Sequence, residues 1–452
     1  MAATDSDYSP DEDTMSSDDE THTFTETDED SVATMEFGEV DEPDVLDLIE
    51  TAMELIDNYY MSHLLFAYSS KFHSEIITYA TEIIMADMDS MVGEERDDLY
   101  ADVHELTTAV FENYMDIHMG TQRSMSITEP TENSPTGEED KRKLADKIAA
   151  LQAIPQPTQK TTEWYEFRYN LITASNLWKV FGSAAQRNSL IYEKCKPLNL
   201  EQSTLGSSHT GSALHWGIKY EPLTVMIYED MFHTRVGDFG CIRHPQHPCI
   251  GASPDGINID PSSSRYGRML EIKNIVNREI TGIPKDEYWI QTQIQMETCD
   301  LDECDFVETR FKEYESDRDF YEDGARKYKG VILNFISPGS EDGFAPVYKY
   351  MPLTVLLDPT SVNEWVSTTR EAAKKDGLAL FSVIYWYMDQ FSCVLIPRNK
   401  EWFQAAFPKI DDLWNTVLSE RESGYEHRAS KKRVPKTAPV QAITVIRLSH
   451  DE

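Results

Sequence analysis

No lysine or arginine precedes Lys71, and residues 1–140 carry 38 Asp and Glu against only Lys71, Arg96 and Arg123. Residues 141–452 hold 42 acidic and 38 basic residues, so the net charge of −39 belongs almost wholly to the first third of the chain. That division constrains the fold before any motif is considered. Residues 1–44 hold 17 Asp and Glu, no Lys or Arg and many Ser and Thr, a composition that repels itself and has little to bury. They are expected to form a disordered acidic tail, either a solubilising segment or a mimic of DNA that competes for a basic groove downstream. The whole chain is far too acidic for a simple DNA-coating domain. The balanced remainder leaves room for a nucleic-acid groove.

That remainder can fold. With 40% of residues hydrophobic and 11% aromatic, the chain can bury a substantial core. No apolar run is long enough for a membrane helix, and no signal peptide opens the chain. Six cysteines are too few for a disulfide framework and suit a reducing compartment. The expectation is an intracellular protein with no membrane partner.

From Val45, Leu46, Ile49, Met53, Ile56 and Tyr60 recur at helical spacing, as do apolar residues across Phe72–Met88 and Leu99–Met119. These predict a helical domain over 45–120. Residues 121–140 read as a polar linker and 422–452 as a basic, flexible tail containing Arg428–Lys436. Lys141–Leu151 is predicted to be a short helix. Gly330–Ile336 and Val347–Leu357 read as strands and Ser361–Lys375 as a helix. Leu378–Tyr387 and Phe391–Ile396 read as a hairpin, and Trp402–Glu420 as a last helix.

The chemistry concentrates between Trp164 and Tyr314. Ala213–Phe232 is predicted to be a helix with Glu221 in an early turn. Ser253-Pro-Asp255-Gly256 reads as a turn, and Met269-Leu-Glu271-Ile-Lys273 as a strand. Alternation puts Glu271 and Lys273 on one face and Ile272 on the other. Asp255 and Glu271, with the Ile272 carbonyl, make an all-oxygen donor set suited to Mg²⁺ or Mn²⁺ rather than zinc. Lys273 adds a charge that can orient an attacking water or stabilise charge developing on phosphorus. Together these are the parts of a phosphodiesterase site. A lone Glu-x-Lys triplet says little; its partners give it weight.

Cys241-x2-His244-x2-His247-x-Cys249 offers four zinc-type ligands, but the cramped spacing and two prolines read as a hairpin tip. Cys299 and Cys304 read as buried free thiols. Trp164 is equally a core aromatic, and Tyr288 and Trp289 read as packing residues.

Five blocks then occur in order: Trp164-Tyr-Glu-Phe-Arg168 with Ile172-Thr-Ala-Ser175; Ala213-Leu-His-Trp-Gly217 through Glu221; Ser253-Pro-Asp-Gly256; Leu270-Glu-Ile-Lys273; and Tyr288-Trp-Ile-Gln291-Thr-Gln293. In these the chain resembles the lambda-type exonuclease and YqaJ viral recombinase family of the PD-(D/E)XK nuclease superfamily, over about residues 160–315. The resemblance implies an α/β fold with a restriction-endonuclease-like core, a mixed central sheet flanked by helices, in a nuclease domain over 141–421. It implies a 5′–3′ exonuclease acting on double-stranded DNA ends with one or two Mg²⁺ ions, for which Mn²⁺ substitutes. Asp255, Glu271 and Ile272 would be metal ligands, joined by Glu221; Lys273 and Gln291 would complete the catalytic set. Arg168, Ser175 and Ser253 would bind the terminal 5′-phosphate, and Trp164 would stack on DNA. The implied partners are DNA ends and a single-strand annealing or other DNA-binding protein, with an oligomer compatible with the family. The setting would be that of a large DNA virus, in the host nucleus or a cytoplasmic replication site. Asn274-Ile275 after Lys273 departs from the family's usual Pro-containing exit. The alternatives are an endonuclease acting on nicks or flaps with the same metal site, and a non-catalytic acidic adaptor.

Overall fold

Apolar residues four apart organise the first helices. The computed structural model describes residues 42–88, 96–117, 124–126, 137–158, 161–198, 213–337 and 346–429. Helix α1 (Glu42–His63) buries the row Ala52, Ile56 and Tyr60, while Leu46 and Met53, expected on the same face, are exposed. The buried stripe is turned about one residue round, so that Ala52 is covered in place of Met53. Helix α2 (Phe72–Asp87) repeats the device with Phe72, Ile76, Ala80 and Ile84, and α3 (Arg96–Ile117) buries Val103, Leu106, Val110 and Tyr114. From Asp47 onward the described residues cluster as one compact unit. Most of the acidic tail, the linker and the basic tail lies outside the described residues, although residues 42–44 of the expected tail open α1.

After strand β1 (Met125–Ser126) and helix α4 (Glu138–Ala153) come helix α5 (Thr162–Tyr169), strand β2 (Ile172–Thr173), the single turn α6 (Ala174–Leu177) and helix α7 (Ala184–Cys195). A capping box between Ser183 and Gln186 starts α7. Helix α8 spans Ala213–Phe232, as the spacing predicts. Glu221 is not in an early turn, however. It sits nine residues in, directly before Pro222.

Strands β3 (Val236–Gly237), β4 (Ile242–Arg243), β5 (Ile250–Ala252), β6 (Gly256–Asn258) and β7 (Met269–Asn274) follow, then helix α9 (Asp286–Cys299) and strand β8 (Glu303–Glu313). Beyond them lie helix α10 (Asp317–Glu322), strands β9 (Lys329–Ile336) and β10 (Pro346–Tyr350), helix α11 (Pro359–Lys375), strand β11 (Ala379–Pro397) and helix α12 (Lys400–Ser423). The main sheet runs β10-β9-β11-β8-β7-β6-β3, with β1 added on β11; a small sheet runs β2-β5-β4. The pair β7–β8 is parallel and the other neighbours in the main sheet are antiparallel. This mixed α/β architecture is the fold class expected.

Two expectations fail in the C-terminal part. The predicted hairpin is one 19-residue strand, β11, which pairs with β9 through its first half and β8 through its second. The polar stretch that read as a turn is an irregularity between Met388 and Gln390, where Asp389 reaches Lys312 at 2.9 Å and Arg326 at 3.3 Å. The strand expected over Val347–Leu357 ends at Tyr350, just before Pro352.

The core lies on both sides of β7. Leu270 and Ile272 pack with Tyr228 of α8 and Val307 of β8. On the other side, α9 is buried almost all round from Trp289 to Cys299. Helix α12 closes over α9, with Trp289 and Trp402 in edge contact, and α1 joins it where the Asn399 amide donates to Tyr60 Oη at 3.2 Å. Among the described residues, no helix is long and apolar enough to cross a membrane.

Candidate active site

The turn after β5 brings Asp255 against β7. Its own N–H donates to Leu270 O at 3.1 Å, and its Oδ2 accepts from the Ile272 N–H at 2.7 Å. Two backbone-level contacts therefore lock this carboxylate beside the strand carrying Glu271 and Lys273. The next residue, Gly256, lets β3 pack close on the other edge of β6, because a Cβ there would lie 2.1 Å from Val236 Cγ1.

Glu271 is 1% exposed and points at α9, opposite to Ile272. Gln291 donates to its Oε1 at 2.7 Å and Gln295 to its Oε2 at 2.8 Å. The Gln295 amide also reaches Ser253 O at 3.2 Å, so it ties the Ser-Pro-Asp-Gly turn to the strand. Lys273 forms an ion pair with Glu271 Oε1, and its Nζ lies 3.4 Å from Gln291 Oε1 and 4.8 Å from the centre of the Tyr288 ring. Asp255, Glu271, Lys273 and Gln291 are thus brought together.

Electrostatics adds Glu221. Burial raises its carboxyl above the ordinary range, Glu271 adds to the rise, and Lys273 opposes it. Asp255 is driven well above its ordinary value by burial, then by Glu271, with Lys273 pulling it back. Burial alone would lower the Lys273 ammonium, yet Glu271 and Asp255 outweigh it and hold the group protonated above its usual range. Asp255 and Glu271 share one ammonium, and Glu221 feels the same charges. Such an excess of buried negative charge is what a divalent cation would relieve. Among the described residues, no three His, Cys, Asp or Glu side chains stand ready to hold an ion as they are. The oxygen donors brought to this recess are the carboxylates of Asp255 and Glu271, with Glu221 coupled to them electrostatically.

The end-binding candidates sit on α5, on α6 and in the turn after β5. Thr173 of β2 registers with Gly251 of β5, so Ser175 and Ser253 each lie two residues beyond the same rung. Ser253 opens the turn that carries Asp255, and Ser175 is exposed on α6, which packs against α9. Trp164 is not a core residue: α5 buries none of its residues, and the Arg168 guanidinium lies 4.6 Å from the Trp164 ring centre. No direct contact joins Arg168 to either serine.

The sequence pointed to Gln291 and not to Gln295. The signal was present, since residues four apart on a helix share a face. Gln293 points elsewhere, donating to Pro397 O at 2.8 Å. Tyr288 also has more than a packing role: it lies against Phe306 of β8 and under the Lys273 ammonium.

The four zinc-type residues do not form a metal centre. His244 Nδ1 accepts from the Gln246 and His247 N–H groups, both at 3.1 Å, and its ring stacks on Phe403. Burial, then His247 and Arg398, push His244 down to about 4. Cys241, Cys249, Cys299 and Cys304 are buried free thiols.

The chain is 30% identical over 311 residues to an uncharacterized protein of Acanthamoeba polyphaga mimivirus, covering 61% of this chain and 55% of that one. It thus spans about half the length of this relative. Among solved structures it is similar to an alkaline exonuclease from Laribacter hongkongensis, at 21% identity and a TM-score of 0.34, over 58% of this chain and 95% of the other. The same enzyme in complex with dAMP gives 22% identity and 0.32, over 59% and 95%. The family model of YqaJ-like viral recombinase domains matches residues 163–302, a span that holds every candidate residue from Trp164 to Gln295. Over residues 163–302 the chain is thus similar to YqaJ-like viral recombinase domains.

Proposed function

We propose that the chain is a divalent-metal-dependent deoxyribonuclease that degrades duplex DNA from 5′-phosphorylated ends. Its product would be a 3′ single strand for recombination, replication or genome processing. The observation that carries this reading is the meeting of Asp255, Glu271 and Lys273 in one recess, with negative charge in excess.

Asp255, Glu271 and the Ile272 carbonyl suit Mg²⁺ or Mn²⁺, hard ions that take oxygen donors. Mg²⁺ commonly binds one or two carboxylates and keeps several waters, so two side chains suffice, and Glu221 would join through water. When bound, the ion polarises the scissile phosphate and makes water a better nucleophile at neutral pH. The chain's own residues supply the remainder. The Lys273 ammonium donates to the attacking water or to the phosphate oxygens as their charge grows. Gln291 and Gln295 grip Glu271 from both oxygens and fix its plane, the role of groups behind a ligand. Arg168, with Ser175 and Ser253, receives the terminal 5′-phosphate; a guanidinium fork and hydroxyls match its oxygens. Trp164 stacks on a base, which tolerates any sequence.

One gel tests this reading. Linear duplexes with 5′-phosphate ends should yield mononucleotides with Mg²⁺ and none with chelator, while a closed circle stays intact. Cutting of the circle would favour a nick- or flap-directed endonuclease. Binding without hydrolysis of any substrate would leave the acidic adaptor.

A further inference from the structure

Helix α5 carries both Trp164 and Arg168 and has no fully buried residue, its aromatic side chains being only partly covered, so contacts at its ends matter to where it points. Its N-terminus is capped by Thr161 Oγ1, which accepts from the Trp164 N–H at 3.3 Å. The carbonyls a helix leaves open at its C-terminus are collected here by two cations from other helices. Lys194 of α7 donates to Arg168 O at 2.9 Å. Arg421 of α12 donates through Nη2 to Tyr169 O at 2.8 Å, through Nη1 to Asn170 Oδ1 at 3.4 Å, and through Nε to Lys194 O at 2.9 Å. Its guanidinium also lies 3.9 Å from the Tyr169 ring centre. One planar fork therefore joins α5, α7 and α12, and its charge suits the negative end of a helix dipole. Arg168 is close enough to this junction to help depress the Lys194 ammonium to about 8, after burial and against the opposing pull of Glu193, together with Arg421 and Lys179.

We infer that Arg421 is a positioning residue for recognition of the DNA end, fixing α5 and thereby where Arg168 and Trp164 meet the terminal 5′-phosphate. The inference rests on the end-binding role proposed above for Arg168. Arg421 lies outside residues 163–302, so the C-terminal helix becomes part of the specificity apparatus of the matched domain.

The test compares initial rates on duplexes bearing a 5′-phosphate and a 5′-hydroxyl, using the full chain and the variants Arg168→Gln, Arg421→Gln, Arg421→Lys and the double Gln variant. The wild type should favour the phosphate. Arg421→Gln should lower the phosphate-to-hydroxyl rate ratio about tenfold, through KM for the phosphorylated end rather than kcat, as expected when one charge-assisted contact is misplaced. Arg421→Lys should restore part of the ratio, and the double variant should be no worse than Arg168→Gln alone. An indifferent wild type would overturn the end-phosphate reading and this inference with it. A selective wild type whose Arg421→Gln variant keeps the same ratio would overturn the inference alone, including the case where both substrates slow equally. If Arg421→Gln does not fold, Arg421→Lys and its coupling to Arg168→Gln decide by the same ratio.

Discussion

On the α8 side of the central sheet, Asp305 accepts from Tyr228 Oη at 2.5 Å and pairs with Arg265 and, at 3.1 Å, with Arg268, which also holds Glu303 at 2.9 Å. On the α9 side, Asp255 and Glu271 share the one ammonium of Lys273, and Glu221 of α8 feels the same charges. Both sets are recessed in the protein and belong to the same few strands. The first is balanced, two guanidiniums against two carboxylates, with hydrogen bonds taking up the remaining oxygens. The second is not. Balanced buried charge holds a fold in register, while unbalanced charge is kept only where a ligand or a reaction makes use of it.

Breaking each side separately sharpens the contrast. Lys273→Ala should lower hydrolysis by about a thousandfold or more while the chain still folds and binds duplex DNA. Full activity in that variant would remove Lys273 from the chemistry. Asp305→Ala should do the opposite and destabilise the fold by about 3 kcal/mol, because two buried guanidiniums lose a shared partner. Urea unfolding measures it, and a change under ~1 kcal/mol would show that the network contributes little.

Gln295→Met preserves volume but removes the amide between Glu271 Oε2 and Ser253 O. Mn²⁺ affinity, read by titration without substrate, should weaken about tenfold. Unchanged affinity would reduce Gln295 to packing. The smallest effect concerns His244, outside the site. Its folded value near 4 lies below the ordinary 6.5, so the unfolded chain binds more protons between these values. Its contribution is present above pH 6.5 and is lost as pH falls toward 4, with His247 and Arg398 adding to the repulsion. His244→Gln should flatten the stability profile in that window by on the order of 1 kcal/mol, after allowance for solvent screening. An unaltered profile would argue that His244 binds its proton alike in the folded and unfolded chain.

Much of the architecture was legible. The helices over 42–63, 72–87, 96–117 and 213–232 follow from apolar spacing, and β7 from alternation. Residues that were misread had local signals which longer-range pairing outweighed. Asp389 and Gln390 look like a turn, yet β8 and β9 offer one continuous edge to either half of β11, and a bulge costs less than breaking the sheet. Leu46 and Met53 fit the helical repeat of α1, but the partner helices meet the neighbouring row.

At the recess, the Glu271-x-Lys273 spacing alone dictated that both side chains leave the same face of one strand, because alternation is a property of the backbone. That Asp255 would be bonded to the Ile272 N–H followed only from sheet pairing, which joins turns and strands distant along the chain. The same holds for Gln295 behind Glu271 and for Arg421 at the C-terminal end of the helix that carries Arg168. Neither has a local signature of purpose, since a glutamine or an arginine on a helix acquires one only from what packing sets opposite it.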